Sequence, residues 1–252
     1  MAELSTRETH QLARRLYLIQ VLLNYRTMQG GGYLFALWPW IRSHPRREEN
    51  AHNAAGYLNS HPVFASFAVG AMRRRMEDIT ADASGVAHEP PDDFAQWRES
   101  LAGPLGVTGD SLIWDRWKPL IFAAGAWMLL FAPSIFTWVV VAAACLLLYN
   151  VPLYRLRVWG VKTGYRLGSR VLDAMRDERF GRWRKRLTLA GAMLAGALAG
   201  TAIHRSAQGE VGRGVQFWVA LMLMLLCLRF RFSAATAAAI AIVGTLVFPG
   251  LP

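Results

Sequence analysis

Between Lys118 and Arg155 the chain runs for 36 residues without an Asp, Glu, Lys or Arg. A charge near a bilayer centre costs roughly 2.5–3.5 kcal/mol, so a gap of this length marks lipid. A helix crosses the ~30 Å hydrocarbon core in about 20 residues. The run therefore accommodates one steeply tilted span or two shorter segments hinged at Ala132-Pro133-Ser134. The hinge is favoured, because proline removes a backbone donor and bends a helix. Uncharged stretches at 187–203, 214–228 and 232–252 predict three more helices. The 214–228 stretch is short for a full crossing unless Arg229 and Arg231 extend their guanidinium groups to the interface. In the 187–203 stretch, Ala192, Gly196 and Gly200 put small residues every four positions, a spacing that lets helices approach closely in lipid.

Composition agrees with this reading. Residues of hydrophobic type make up 54% of the 252 and charged ones only 18%, too apolar a mixture for an ordinary soluble chain. Ten Trp, 12 Phe and 9 Met exclude intrinsic disorder. The two cysteines, Cys145 and Cys227, both lie in apolar runs, which removes a disulfide framework or a cysteine-ligated zinc site. No cleavable signal peptide is expected, since Glu3, Arg7, Glu8, Arg14 and Arg15 precede any apolar run. Residues 155–186 hold 11 Lys/Arg against 3 acidic residues, and the positive-inside rule makes this segment a cytoplasmic loop. A topogenic loop touching anionic headgroups explains the basic cluster better than a nucleic-acid patch, so no nucleic-acid partner is expected.

The N-terminal part holds 13 of the 17 acidic side chains within residues 1–115, yet contains uncharged stretches at 27–41 and 50–72. Interrupted by Gly, Pro, Asn and His, these read as re-entrant or interfacial helices. Gln20, Asn24 and Thr27 recur at i, i+4 and i+7 and predict a polar stripe on a helix over 12–28, which Gly30-Gly31-Gly32 would interrupt. Trp38 and Trp40 read as an interfacial anchor, and residues 73–99 as an exposed linker. The fold class expected is all-α: a polytopic integral membrane protein with interfacial or re-entrant helices in residues 1–118 and about four to five transmembrane helices in 119–252.

Catalytic patterns are missing. Six scattered histidines contain no zinc-hydrolase pairing, and no Gly-x-Ser-x-Gly elbow occurs, so no catalytic residue, cofactor or metal is expected. Residues 103–119 instead combine Gly103, Pro104, Gly106, Gly109 and Pro119 with Thr108, Asp110 and Ser111 just before the longest apolar run. Broken backbone beside a carboxylate is how transporters build polar sites; Asp110-Ser111 could equally be a helix N-cap.

At these residues the chain resembles the IID subunit of the mannose/fructose/sorbose class of the bacterial sugar phosphotransferase system. Gly103-Pro104-Leu105, Gly109-Asp110, Trp114 and Lys118-Pro119 resemble one family pattern, Asn24 to Gly30 a second, Leu58-Asn59-Ser60-His61-Pro62 a third, and Tyr149-Asn150 with Gly160, Tyr165 and Gly168 a fourth. The resemblance implies a multi-pass protein of the bacterial cytoplasmic (inner) membrane that forms a hexose path with a IIC-type membrane subunit, while soluble IIA/IIB-type phosphocarriers handle the phosphoryl group. It implies sugar contacts from Asn24, Met28, Gln29, Asn59 and Asp110. Where the family has Glu-Arg this chain has Arg26-Thr27, and an Arg cannot accept from sugar hydroxyls. A diverged, non-transporting scaffold or regulatory subunit is the alternative.

Overall fold

A computed structural model describes residues 3–82, 91–129 and 134–207. The chain falls into two compact units, Met1–Leu189 and Ala190–Pro252. Among the described residues the regular structure is helical: α1 (Thr6–Arg15), α2 (Gly30–Ile41), α3 (Arg47–Ala55), α4 (Ala65–Asp82), α5 (Pro91–Ser100), α6 (Ala102–Gly109), α7 (Lys118–Leu129), α8 (Ile135–Leu167) and α9 (Glu178–Ala207). A short 3₁₀ turn, Leu16–Leu18, follows α1, and a longer one, Gly168–Arg176, follows α8.

Local chemistry sets the ends. Ser5 opens α1 with a capping box, its hydroxyl accepting from the Glu8 N–H at 3.2 Å while Glu8 accepts from the Ser5 N–H at 3.2 Å. Ser134 caps α8, accepting from the Thr137 N–H at 3.3 Å. Gly168 ends α8 with φ +53°, a left-handed conformation suited to glycine.

The core of the first unit is the crossing of α4 with the second half of α8. Phe64, Phe67, Met72, Met76, Val161 and Phe180 are essentially sealed from solvent. The helices touch backbone to backbone: a Cβ on Gly164 would lie 2.0 Å from the Phe67 carbonyl oxygen. On Gly70 it would lie 2.2 Å from that of Val161. The apolar residues in 63–72 therefore line a protein core. Arg98, 5% exposed, fastens α5 to the end of α3 by donating to the carbonyls of Asn53 (2.8 Å) and Tyr57 (3.2 Å). Orphan helix-end carbonyls need such donors.

The first half of α8 behaves oppositely. Ile135, Phe136, Val139, Leu146 and Leu147 are each at least 60% exposed. Contacts between Phe122 and Tyr149 and between Gly125 and Cys145 pair α7 with it antiparallel, on either side of the expected hinge. Ala132 and Pro133 of that hinge lie outside the described residues. One helix among the described residues, α8 with its 3₁₀ extension, is long and apolar enough to cross a membrane.

Two expectations are corrected. Residues 73–82 are not linker but the continuation of α4. There Arg73, with its side chain 9% exposed, holds Glu8 at 2.7 Å and Glu77 at 3.0 Å. Arg75 lies 4.6 Å from the Trp97 ring centre. Residues 155–186 are not a loop either. They finish α8, turn through Gly168–Arg176 and begin α9, with Leu156, Val161 and Phe180 buried while Arg155, Lys162, Arg166 and Arg186 stay exposed. Counting charge found the sign of this segment, but an amphipathic helix carries charge on one face only. The proposed spans at 214–228 and 232–252 lie outside the described residues, and a Cβ on Gly191 or Gly196 would meet nothing within 4 Å among the described ones.

Candidate ligand-facing site

Residues 19–29 do not continue α1, so the predicted polar stripe of Gln20, Asn24 and Thr27 does not exist. Asn24 turns the chain instead. Its Oδ1 accepts from the N–H groups of Arg26 (3.0 Å) and Thr27 (2.9 Å), and its Nδ2 donates to the Thr27 hydroxyl at 2.9 Å. Asn competes with helix in this way. Met28 closes the loop, its N–H donating to the Asn24 carbonyl at 2.9 Å. Its φ of +52° is strained for a non-glycine residue. Gly30-Gly31-Gly32 opens α2 rather than interrupting a helix. A Cβ on Gly30 would lie 2.2 Å from the Ala55 carbonyl oxygen.

Gln29 ties this loop to the next. Only 1% exposed, it donates through Nε2 to the Ser60 carbonyl at 2.8 Å and accepts at Oε1 from the Ser60 N–H at 3.0 Å. Its backbone N–H donates to the Leu58 carbonyl at 3.0 Å. Tyr33, fully buried, shares a 2.7 Å hydrogen bond with the Ser60 hydroxyl, and burial pushes its phenol pKa up. Asn59, between these anchors, is exposed, as is Asn24.

The third segment meets the second through His61. A Cβ on Gly109 would lie 2.2 Å from His61 Cβ, and the Trp114 ring packs edge-on to the imidazole with centroids 5.2 Å apart. The backbone here is not broken, contrary to expectation. Pro104 lies in the first turn of α6, where its missing N–H is not needed. Residues Asp110–Trp117 then widen into π-helical turns leading into α7. Asp110 is thus inside a helix (φ −60°, ψ −49°), not at an N-cap. It is exposed, and partial desolvation, followed by the nearby Asp115 charge, raises its carboxyl pKa.

His61 stands in the family-like segment 58–62, but the sequence assigned it no role. Burial, and then the charge of Arg157, lower its pKa to about 4, so the ring is neutral at physiological pH. Its Nδ1 accepts from the Val63 N–H at 3.2 Å, which assigns the ring proton to Nε2. That Nε2 is buried with no hydrogen-bond partner among the described residues, as is the Nε of Arg157, whose guanidinium lies 4.1 Å from the Tyr17 ring centre. Unpaired buried donors are costly and concentrate where something else is meant to bind. Beside these loops Val21, Leu22, Leu23 and Tyr25 stand exposed, Tyr25 completely.

An outward-facing apolar helical hairpin beside clustered polar loops is the pattern of an α-helical integral membrane protein. Residues 3–247 match the family described as the PTS system mannose/fructose/sorbose family IID component, and the chain belongs to that family. It is similar to the fructose permease IID component of Bacillus subtilis strain 168, 23% identical over 181 residues, covering 69% of this chain and 62% of that one. Similarity to the mannose-specific EIID component of Escherichia coli K12 is 24% over 201 residues, 75% of this chain and 66% of the relative. The chain thus spans slightly less than two thirds of the length of these curated relatives. Two solved structures share the fold. One is a membrane protein (TM-score 0.64, 21% identity, 79% of this chain and 71% of that chain). The other is the mannose transporter ManYZ in complex with microcin E492 (TM-score 0.56, 20% identity, 99% and 96%).

Proposed function

We propose that this chain is the IID-type subunit of a sugar phosphotransferase permease, multi-pass in the bacterial cytoplasmic membrane. It forms a hexose path with a IIC-type membrane subunit, and soluble IIA/IIB-type proteins supply the phosphoryl group. The observation that carries this reading is the convergence of three separate segments, 24–29, 58–61 and 109–114, through Gln29 on Ser60 and His61 on Gly109. Asn59 and Asp110 then present amide and carboxyl groups, the mixed donors and acceptors that hold a polyol, while the Asn24 amide, bonded to Arg26 and Thr27, shapes the exposed loop of the same site. Gln29 and Met28 act differently: Gln29 locks two loops together, and Met28 fixes the left-handed turn that presents Asn24. The apolar rim from Val21 to Tyr25 is the surface a partner subunit would cover. Residues 1–118 carry most of the ligand-facing groups, and 119–252 the membrane anchor.

Co-expression with a IIC-type partner tests this. The complex is expected to bind a hexose by calorimetry, with Asn24→Ala, Asn59→Ala and Asp110→Asn each weakening binding while membrane insertion persists. Failure of a IIC-type subunit to co-purify would overturn the proposal. A second reading, a non-transporting scaffold, is favoured by Arg26, a donor-only group at the loop tip. Under that reading the double change Arg26→Glu, Thr27→Arg restores no sugar binding.

A further inference from the structure

Arg155 falls at a calculable depth. From Ile135 to Tyr154, α8 carries 20 residues without a charge, which at 1.5 Å per residue is about 30 Å, one hydrocarbon thickness. Arg155 therefore marks the headgroup level at the end of α8 away from the hairpin turn. Beside it opens a groove of about 500 Å³ walled by Leu112, Ile113, Leu153, Leu156 and Leu187. Two exposed cations line it, Arg155 and Arg186, and neither makes an ion pair among the described residues. Trp117 and Trp183 line it too, the residue type that settles at headgroup depth. The Trp117 indole Nε1 is buried and has no hydrogen-bond acceptor among the described residues.

We infer that this groove is a binding site for one anionic phospholipid. An acyl chain lies along the leucines, the phosphate sits between Arg155 and Arg186, and a lipid oxygen accepts from the Trp117 indole. The volume is that of a small-molecule pocket. Charge complementarity separates this occupant from an apolar helix, which would leave both guanidinium groups and the indole donor unanswered. Each cation near an anionic headgroup is worth about 1 kcal/mol, so the pair gives a preference for anionic over zwitterionic lipid of ~30-fold. Leu112 and Ile113 belong to the 109–114 segment, but Arg155, Arg186 and Trp117 are not among the sugar-facing groups, and the site stands whether or not the chain transports.

Native mass spectrometry of the full-length protein, delipidated and titrated with dioleoyl phosphatidylglycerol or dioleoyl phosphatidylcholine, tests the site. One phosphatidylglycerol is expected to be retained in preference to phosphatidylcholine. Arg155→Gln with Arg186→Gln should reduce that preference by about 10- to 30-fold, and Trp117→Phe should weaken retention about 5-fold. Arg182→Gln, which lies on α9 outside the groove and pairs with Glu178 at 3.1 Å, should change nothing. Equal retention of both lipids, an equal loss with Arg182→Gln, or no retained lipid would each overturn the inference. So would displacement of the lipid by glycerol 3-phosphate alone, which would make this a free-phosphate site. Exclusion of lipid by a co-purified membrane subunit would make it a protein interface. The substituted arginines are exposed, and circular dichroism checks that every variant stays folded.

Discussion

The two halves of α8 differ in composition and in surroundings: residues 135–151 carry no charge, whereas 152–167 carry Arg155, Arg157, Lys162 and Arg166. In residues 135–151, Phe136, Val139 and Leu147 face outward, whereas in 152–167 Leu156, Val161 and Tyr165 are buried against α4. Charge accounts for part of that difference and glycine for the rest. Gly160 and Gly164 let the second half lie on α4, with the Gly160 Cβ position 2.1 Å from the Ser66 hydroxyl; among the described residues the close approach in the first half is that of Cys145 to Gly125 of α7. Small residues let helix backbones meet, and a long uncharged face left without such a contact suits lipid.

The sharpest way to break this contrast is Gly164→Leu. It should destabilise the first unit by more than about 4 kcal/mol, read as loss of monodisperse protein. Leu147→Ala on the outward face should change stability by less than about 0.5 kcal/mol. Leu147→Arg should oppose membrane insertion by about 3 kcal/mol in a translocation assay, while Lys162→Ala, on an exposed face of the second half, leaves insertion unchanged; equal insertion would mean the first half does not face lipid.

Burial, with a lesser share from Arg157 of the second half, keeps His61 neutral. Because folding lowers its pKa from 6.5 to about 4, the unfolded chain binds the extra proton. Stability is therefore full above pH 6.5 and falls, by on the order of 3 kcal/mol, as pH drops toward 4. His61→Phe should flatten that limb in a thermal-unfolding series and also remove the free Nε2 donor from the site. A smaller effect than at Gly164 or His61 is expected at Glu77→Gln, about 1–2 kcal/mol, since Glu8 still faces Arg73. The Glu8 carboxyl is held below its usual range by the Ser5 hydrogen bond and by Arg73. Its contribution is present above about pH 4.5 and lost as acid passes the lowered value; a Glu8→Gln variant with an unchanged acid limb would contradict this.

Much of this was visible in the residues themselves. The 36-residue uncharged gap with Pro133 near its middle announced an apolar hairpin, because charge is excluded from lipid regardless of tertiary detail. The family-like segments around Asn24, Asn59 and Asp110 are the ones that the Gln29–Ser60 and His61–Gly109 contacts join. What hid was anything decided by a distant partner. Gly30 and Gly32 looked like a break because their contacts, Ala55 and Ile19, are remote or follow from a turn. Asn24 looked helical by spacing, but its own amide captured the local N–H groups. Arg73 looked solvated because Glu8, its ion-pair partner, lies 65 residues away. His61 was one histidine among six until Gly109 and Trp114 enclosed it.

Since α8 runs unbroken from the hairpin turn to Gly168, it works as a strut with one end in oil and the other clamped beside the imidazole. One continuous element thus joins the outward apolar half to Arg157, the cation whose charge His61 feels.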